Sequence, residues 1–464
     1  MLILQGDYEL CTITNYDLHF EVEPEKGFFN SQGTITILND TKEAFKKLSI
    51  MLYHDLNVKN IRNTENESLA FLQEKVSLED EENYLVNYIT ISLSEALQPN
   101  EQINISIEYE GSLNGYSKVM AYVKDKIHKE FSILRPDCHA YPIIAEPSFI
   151  SILKSYENKF TYNILVKVPK VYKVACGGVL RNVTETNDYS IFNYASVSST
   201  WRFDITAADY SIVEDKDSNL KIFVFPEHKA NAENIVIMEI RRTFELFEDL
   251  FGDFQEGKHF TVIEVKESYG SQAGDNYILM EEHGFSGDAK KLTHLYHEVG
   301  HAWNVKAKHD IQRTRFFDEA FASYFEALAI KKFYRYKEFT AKMDLYRNLF
   351  IESVNADKIN FSTPICNYGK YEIGHNSYTK GPWVLYLLNE ILGDEVFYKA
   401  IRNFLNKFRD KEVDFEDFRE AIEEVSNIDL SVFFKKWIYG IESSEFLYSD
   451  VDVKHMINNY KSVE

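Results

Sequence analysis

Asp288-Ala289-Lys290-Lys291-Leu292-Thr293-His294-Leu295-Tyr296-His297-Glu298-Val299-Gly300-His301-Ala302-Trp303 is the stretch on which the reading of this chain turns. Within it, His297 and His301 frame Glu298 in an HExxH pattern. Residues i and i+4 are separated by about 40° around a helix of about 3.6 residues per turn, so both imidazoles can reach one metal ion. Leu292, Leu295 and Val299 fall at i, i+3 and i+7 and make a helical apolar stripe, with Asp288 as the expected N-cap. Glu298, beside the first His, is then placed to act on a water held by that metal, the layout of a zinc peptidase.

Working outward, Glu319 follows His301 after a gap of seventeen residues, 302–318. It falls in the first turn of a second expected helix, Asp318-Glu319-Ala320-Phe321-Ala322-Ser323-Tyr324-Phe325-Glu326. Two helices joined by a loop can bring its carboxylate to the two imidazoles. No Cys lies near the motif, which disfavours a closed structural zinc site. Three protein ligands leave a fourth position for water, the arrangement of catalytic zinc. Trp303 and Phe321 are expected to pack the two ligand-bearing helices together.

The segments HEVGHAW, FFDEAFASYFEAL and YTKGPWVLYLL together resemble the aminopeptidase N-like zinc metallopeptidases, a gluzincin family that includes the leukotriene hydrolases. The likeness extends to Asn15–Gly27, similar to the family's opening strands, and to Phe433–Gly440, similar to the last helix of its catalytic domain. It implies zinc, one ion, held by His297, His301 and Glu319. It implies Glu298 as general base, and Tyr378 of the YxKG segment as hydrogen-bond donor to the tetrahedral oxyanion. The family's GxMEN segment, whose Glu holds the substrate's free amino terminus, corresponds here to Gln272-Ala273-Gly274-Asp275-Asn276. Asp275 is thus the candidate ammonium anchor, with Asn276 and Gln272 assisting. The chain departs from the family in a gap one residue short, in DEAFA for NEGFA, and in the shorter acid Asp275. Its HAWNVK stretch is similar to the HxWNVK of glycyl aminopeptidases.

Before residue 213 the pattern is β. Tyr16, Leu18, Phe20 and Val22 alternate with Asp17, His19, Glu21 and Glu23, the mark of a half-buried strand. Similar runs recur at Gly33–Leu38, Tyr84–Leu93, Ile103–Tyr109 and Phe160–Val168. Residues 214–226 suggest another strand; from Ala230 helical periodicity dominates, interrupted by Phe260–Val265. The expected fold is α+β and multidomain. An N-terminal antiparallel β domain spans 1–213, saddle-shaped if the resemblance holds. A thermolysin-like, mainly helical zinc peptidase domain follows over 214–442, then an extended tail over 443–464, with no large C-terminal helical domain.

Composition narrows the partners. With 73 acidic against 51 basic side chains the net charge is −22, a field that repels nucleic acid. Hydrophobic content of 45% suffices for a large core, and only nine Pro and 19 Gly argue against a linker-rich chain. Cys11, Cys138, Cys176 and Cys366 are widely spaced, which reads as reduced thiols in a cytoplasmic protein. Met1–Asp7 lacks the basic and apolar regions of a leader, and no run of about 18 apolar residues suggests a membrane span. The expected activity is a zinc aminopeptidase acting on peptides. The alternatives are an endopeptidase or dedicated processing protease, and a catalytically silent zinc-stabilised binding protein, which has no need of Glu298 or Tyr378.

Overall fold

The computed structural model describes residues 10–253, 259–308, 311, 314–367, 375–409 and 411–449, side chains at 289, 290 and 375 excepted. The chain forms two compact units: Met1–Glu233 with His259–Ser286, and Asn234–Lys258 with Gly287–Glu464.

The first unit is built from strands. A seven-stranded sheet runs in the order Val179–Glu185, Tyr189–Ala195, Thr161–Pro169, Thr12–Glu23, Phe28–Leu38, Gln102–Gly111, Leu56–Arg62. The alternation in the first strand does what its period demands: Tyr16, Leu18, Phe20 and Val22 are all buried, while Asp17 is exposed. The turn Pro24–Lys26 reverses the chain into Phe28–Leu38, pairing Leu18 with Gly33. One pairing departs from the antiparallel expectation, since Thr12–Glu23 and Thr161–Pro169 run parallel, Leu18 beside Ile164. Strands so far apart in sequence need no hairpin, so nothing in the connection forces them antiparallel.

The boundary expected near 213 is not where the compact units part. Ser211–Asp215, Leu220–Val224, Phe260–Val265, Tyr277–Glu281 and Gln272–Ala273 form a five-stranded mixed sheet, in that order. A single apolar cluster joins its residues Phe223, Ile263, Val265 and Leu279 to Phe131, Ile133 and Ala175 of the preceding chain. That shared core holds the sheet within the first unit.

The second unit is helical. Its main helices are Ile237–Phe251, Thr293–Gly300 (the histidine helix), Phe321–Phe333 (the glutamate helix), Tyr336–Ala356, His375–Leu392 (the tyrosine helix), Asp394–Lys407 and Phe415–Ser426. Asp414 caps the last of these in a reciprocal capping box with Asp417. Phe316, Phe317, Phe321, Phe404, Phe415 and Phe418 interlock as edge-on and tilted rings, centroids 4.9–6.1 Å apart, in the core of the unit. The extended tail expected from 443 gives way to a helix over Glu442–Tyr448, because burying Phe446 and Leu447 outweighs the polar residues around them. The remainder of that tail, and the start Met1–Asp7, lie outside the described residues.

Candidate active site

The histidine helix begins one residue after a 3-10 turn, Ala289–Leu292, so the α-helix starts at Thr293 and Asp288 does not cap it. His297 and Glu298 lie on the helix, and His301 opens the 3-10 turn His301–Trp303 at its end. Gly300 fits because the glutamate helix passes close: a Cβ there would sit 3.2 Å from Ala322 Cα. Glu319 lies in a π-helical turn, Phe316–Ala320, that runs into the glutamate helix. Such turns shift the side chains that follow and recur at functional sites.

These elements bring His297, His301 and Glu319 together, with one ligand atom of each within 4.8 Å of the others. Glu319 Oε2 is 3.2 Å from His297 Nε2 and 3.5 Å from His301 Nε2. The opposite ring nitrogens face other groups. His301 Nδ1 is 2.5 Å from Asp318 Oδ1, and His297 Nδ1 is 3.5 Å from Ser323 Oγ and 4.0 Å from Glu326 Oε2. Glu326 in turn is held by Lys342 at 2.6 Å and Tyr346 at 2.9 Å. Two imidazoles and one carboxylate converging, with the far nitrogen of His301 oriented by a carboxylate and that of His297 facing the Ser323 hydroxyl, is a donor set that fits zinc.

The electrostatics agree with that fit. Burial alone would favour the neutral forms, but Asp318 and Glu319 draw a proton onto His301 and raise it to about 9. The same carboxylates favour a divalent cation at that ring's Nε2. Burial also opposes the charge on Glu319, yet Arg315 and His301 outweigh it and hold its carboxyl below the usual carboxylate range. Glu298 is buried beside the cluster; desolvation pushes its carboxyl up while His297 and His301 pull it back.

Tyr378 stacks on His297, ring centroids 6.0 Å apart and 18° from parallel. Desolvation and then the nearby Glu319 carboxylate push its phenol well above the ordinary range, so it stays protonated. The tyrosine helix gets this close because of Gly381, whose Cβ would lie 2.3 Å from Ala320 Cβ. Ser377 Oγ donates to the Thr314 carbonyl, and the buried Lys380 ammonium donates to the Thr363 carbonyl at 2.5 Å and Ser444 Oγ at 3.2 Å. The YxKG segment is therefore a seat for the helix as well as a source of Tyr378.

Gln272, Asp275 and Asn276 belong to the other unit. The Gln272 amide is engaged there, accepting from Arg135 at 2.9 Å and Arg202 at 3.0 Å and donating to Asp137 at 3.2 Å. Asn276 Oδ1 accepts from the Gly178 amide at 3.4 Å. Asp275 Oδ2 is buried without a hydrogen-bond partner among the described residues, and desolvation raises its pKa. Trp303 and Phe321 make ring contacts with other helices of the unit. Trp303 packs on Phe244 and Phe247, and its indole donates to the Gly252 carbonyl, because the 3-10 turn swings it toward Ile237–Phe251. Phe321 faces the Phe404 and Phe418 rings.

Two participants escaped the sequence reading. Asp318 was legible in principle, since a carboxylate next to a ligand often orients a liganding imidazole. Arg315 had no such signal: its guanidinium reaches Asp318 Oδ2 and Glu319 Oε1 from a left-handed backbone, φ 52°.

Residues 271–437 match the Peptidase family M1 domain. The glutamyl aminopeptidase of Sus scrofa is 24% identical over 379 residues, covering 75% of this chain and 39% of that protein. "Probable aminopeptidase 1" of Sulfurisphaera tokodaii is 22% identical over 321 residues, covering 64% of this chain and 40% of that protein. The chain thus spans about two fifths of the length of the curated relatives it matches. An M1 zinc metallopeptidase from Deinococcus radiodurans superimposes with a TM-score of 0.65 at 14% identity, covering 95% of this chain and 93% of that one. A mutant of an M1 zinc metallopeptidase from the same organism, solved with the substrate Tyr-Ser-Ala, superimposes with a TM-score of 0.63 at 13% identity, covering 94% of this chain and 93% of that one.

Proposed function

We propose that this chain, a divergent gluzincin of the aminopeptidase N-like family carrying a Peptidase family M1 domain, is a zinc-dependent aminopeptidase acting on peptides. The observation that carries this reading is the convergence of His297, His301 and Glu319 beside a buried Glu298.

One zinc ion, which His297, His301 and Glu319 would hold, would supply Lewis acidity toward the scissile carbonyl and the attacking water. Glu298 takes the proton of the attacking water and passes it to the leaving amine, a shuttle by a buried carboxylate. The protonated Tyr378 hydroxyl donates to the oxyanion as it forms. Asp318 holds His301 by Nδ1, leaving Nε2 for the metal. Asp275 is the proposed partner of the substrate's free ammonium, supported by its unpaired buried oxygen; Asn276 assists, while Gln272, expected to assist as well, is engaged by Arg135, Arg202 and Asp137. The committed Gln272 amide favours an endopeptidase as the second reading, because it lends little to amine recognition. Four free cysteines fit a cytoplasmic setting. No helix among the described residues is long and apolar enough to cross a membrane.

The test is digestion of one peptide pool in two forms, free and N-acetylated, read by mass spectrometry. Stepwise loss of N-terminal residues from the free pool alone is expected. Equal internal cleavage of both pools would move the assignment to an endopeptidase and leave Asp275 without its role.

A further inference from the structure

We infer that Arg315 is a positioning residue for the metal centre, pinning Glu319 so that it offers a single oxygen and, through Asp318, setting the orientation of His301. This rests on the zinc reading above and adds a residue to it.

The geometry divides the two oxygens of Glu319. Oε2 faces both histidine Nε2 atoms at 3.2 and 3.5 Å, whereas Oε1 lies 2.6 Å from an Arg315 terminal nitrogen. A carboxylate gripped at one oxygen by a planar guanidinium cannot swing to present both. The same guanidinium reaches Asp318 Oδ2, its Nε at 2.8 Å, while Asp318 Oδ1 holds His301 Nδ1 at 2.5 Å. One side chain therefore aligns two of the three ligands, one directly and one through a relay.

The backbone gives a second, independent observation. Arg315 has φ 52° and ψ 21°, left-handed values that a bulky residue adopts only when its surroundings over-determine them. From that conformation its carbonyl accepts from the Glu319 amide at 2.7 Å and the Asp318 amide at 3.3 Å. The main chain of Arg315 caps the turn that its own side chain folds back over. Strain concentrated at the residue that aligns two ligands points to function, since a glycine would form this turn without the strain.

A carboxylate freed to bind through both oxygens raises the coordination number and weakens the Lewis acid. The charge of Arg315 itself opposes a cation nearby, so its loss does not cost metal binding.

The experiment compares wild type with Arg315→Gln and Arg315→Lys, each checked for folding by circular dichroism. Cobalt(II) is substituted for zinc and its visible spectrum recorded, zinc retention is measured against a competing chelator, and kcat and KM are determined separately. The expected result for Arg315→Gln is retained metal, a cobalt spectrum shifted toward weaker bands of higher coordination, and a kcat lower by about 10- to 100-fold at nearly constant KM. Arg315→Lys keeps the charge but lacks the planar fork, so its spectrum should fall between the two. A cobalt spectrum unchanged in both folded variants would overturn the inference, and so would metal loss from both. Should wild type itself bind neither zinc nor cobalt, the zinc reading fails rather than this one.

Discussion

Replacing Gly381 by Ala asks whether Tyr378 is placed by a close helix contact. A Cβ built on Gly381 lies 2.3 Å from the Ala320 Cβ. Carbon atoms pack at about 3.5 Å or more, so the tyrosine helix must retreat by about 1.2 Å, or the Phe316–Ala320 turn must yield as much. Ala320 directly follows the proposed ligand Glu319, and Tyr378 lies one helical turn before Gly381, so the displacement falls between them. Overpacking of this kind costs about 1–3 kcal/mol, and a misplacement of about 1 Å at reacting groups costs about 10²-fold in rate. The variant should fold, lose about 1–3 kcal/mol in urea unfolding and lose about 10²-fold in kcat. Adding Ala320→Gly restores the space. It should recover most of both losses, less the roughly 1 kcal/mol that Gly costs in a helical turn, and the double-mutant cycle should show coupling. Wild-type stability and turnover in Gly381→Ala would refute the close-contact reasoning. A double variant no better than the single one would do the same.

Tyr378→Phe removes the proposed oxyanion donor and no proposed ligand, so kcat should fall by about 10²- to 10³-fold while metal analysis still finds zinc; an unchanged kcat would strip Tyr378 of its role. His139 is fully buried in the first unit, its Nε2 3.0 Å from the Tyr84 hydroxyl, and desolvation lowers its pKa from 6.5 to about 4. The unfolded chain therefore takes up a proton below pH 6.5 that the folded chain refuses until about pH 4. Stability from this group is full above the unfolded value and is lost as pH falls, by about 2.5 kcal/mol between pH 7 and 4.5. Denaturant unfolding at both pH values should show a gentler loss for His139→Gln than for wild type, and equal slopes would contradict the burial argument.

Much of this was legible because it rests on periodicity or on residue chemistry. Alternation in Tyr16–Val22 marked a strand whose inner face is buried, and the i, i+4 spacing of His297 and His301 marked two imidazoles that converge with Glu319. Tyr378 was reached only through the YxKG resemblance, since spacing alone does not separate one Tyr from thirty. What stayed hidden depends on tertiary placement. Nothing local announces that Arg315 adopts a left-handed backbone or that its guanidinium returns over Asp318 and Glu319. The division into compact units differs from a cut near 213, because a fully buried run such as Phe260–Val265 does not reveal which core it joins. Asp288 looks like a cap, but the 3-10 turn Ala289–Leu292 intervenes. The helix Glu442–Tyr448 was hidden by its Ser and Glu residues, although Phe446 and Leu447 anchor it.

The most direct test of the central claim is single-turnover peptide cleavage by Glu298→Gln, with zinc content measured on the same sample. Gln keeps the shape and leaves His297, His301 and Glu319 in place, so the variant should hold one zinc as wild type does and cleave about 10²- to 10⁴-fold more slowly. A zinc-replete Glu298→Gln enzyme that cleaves at the wild-type rate would place the activity outside this site.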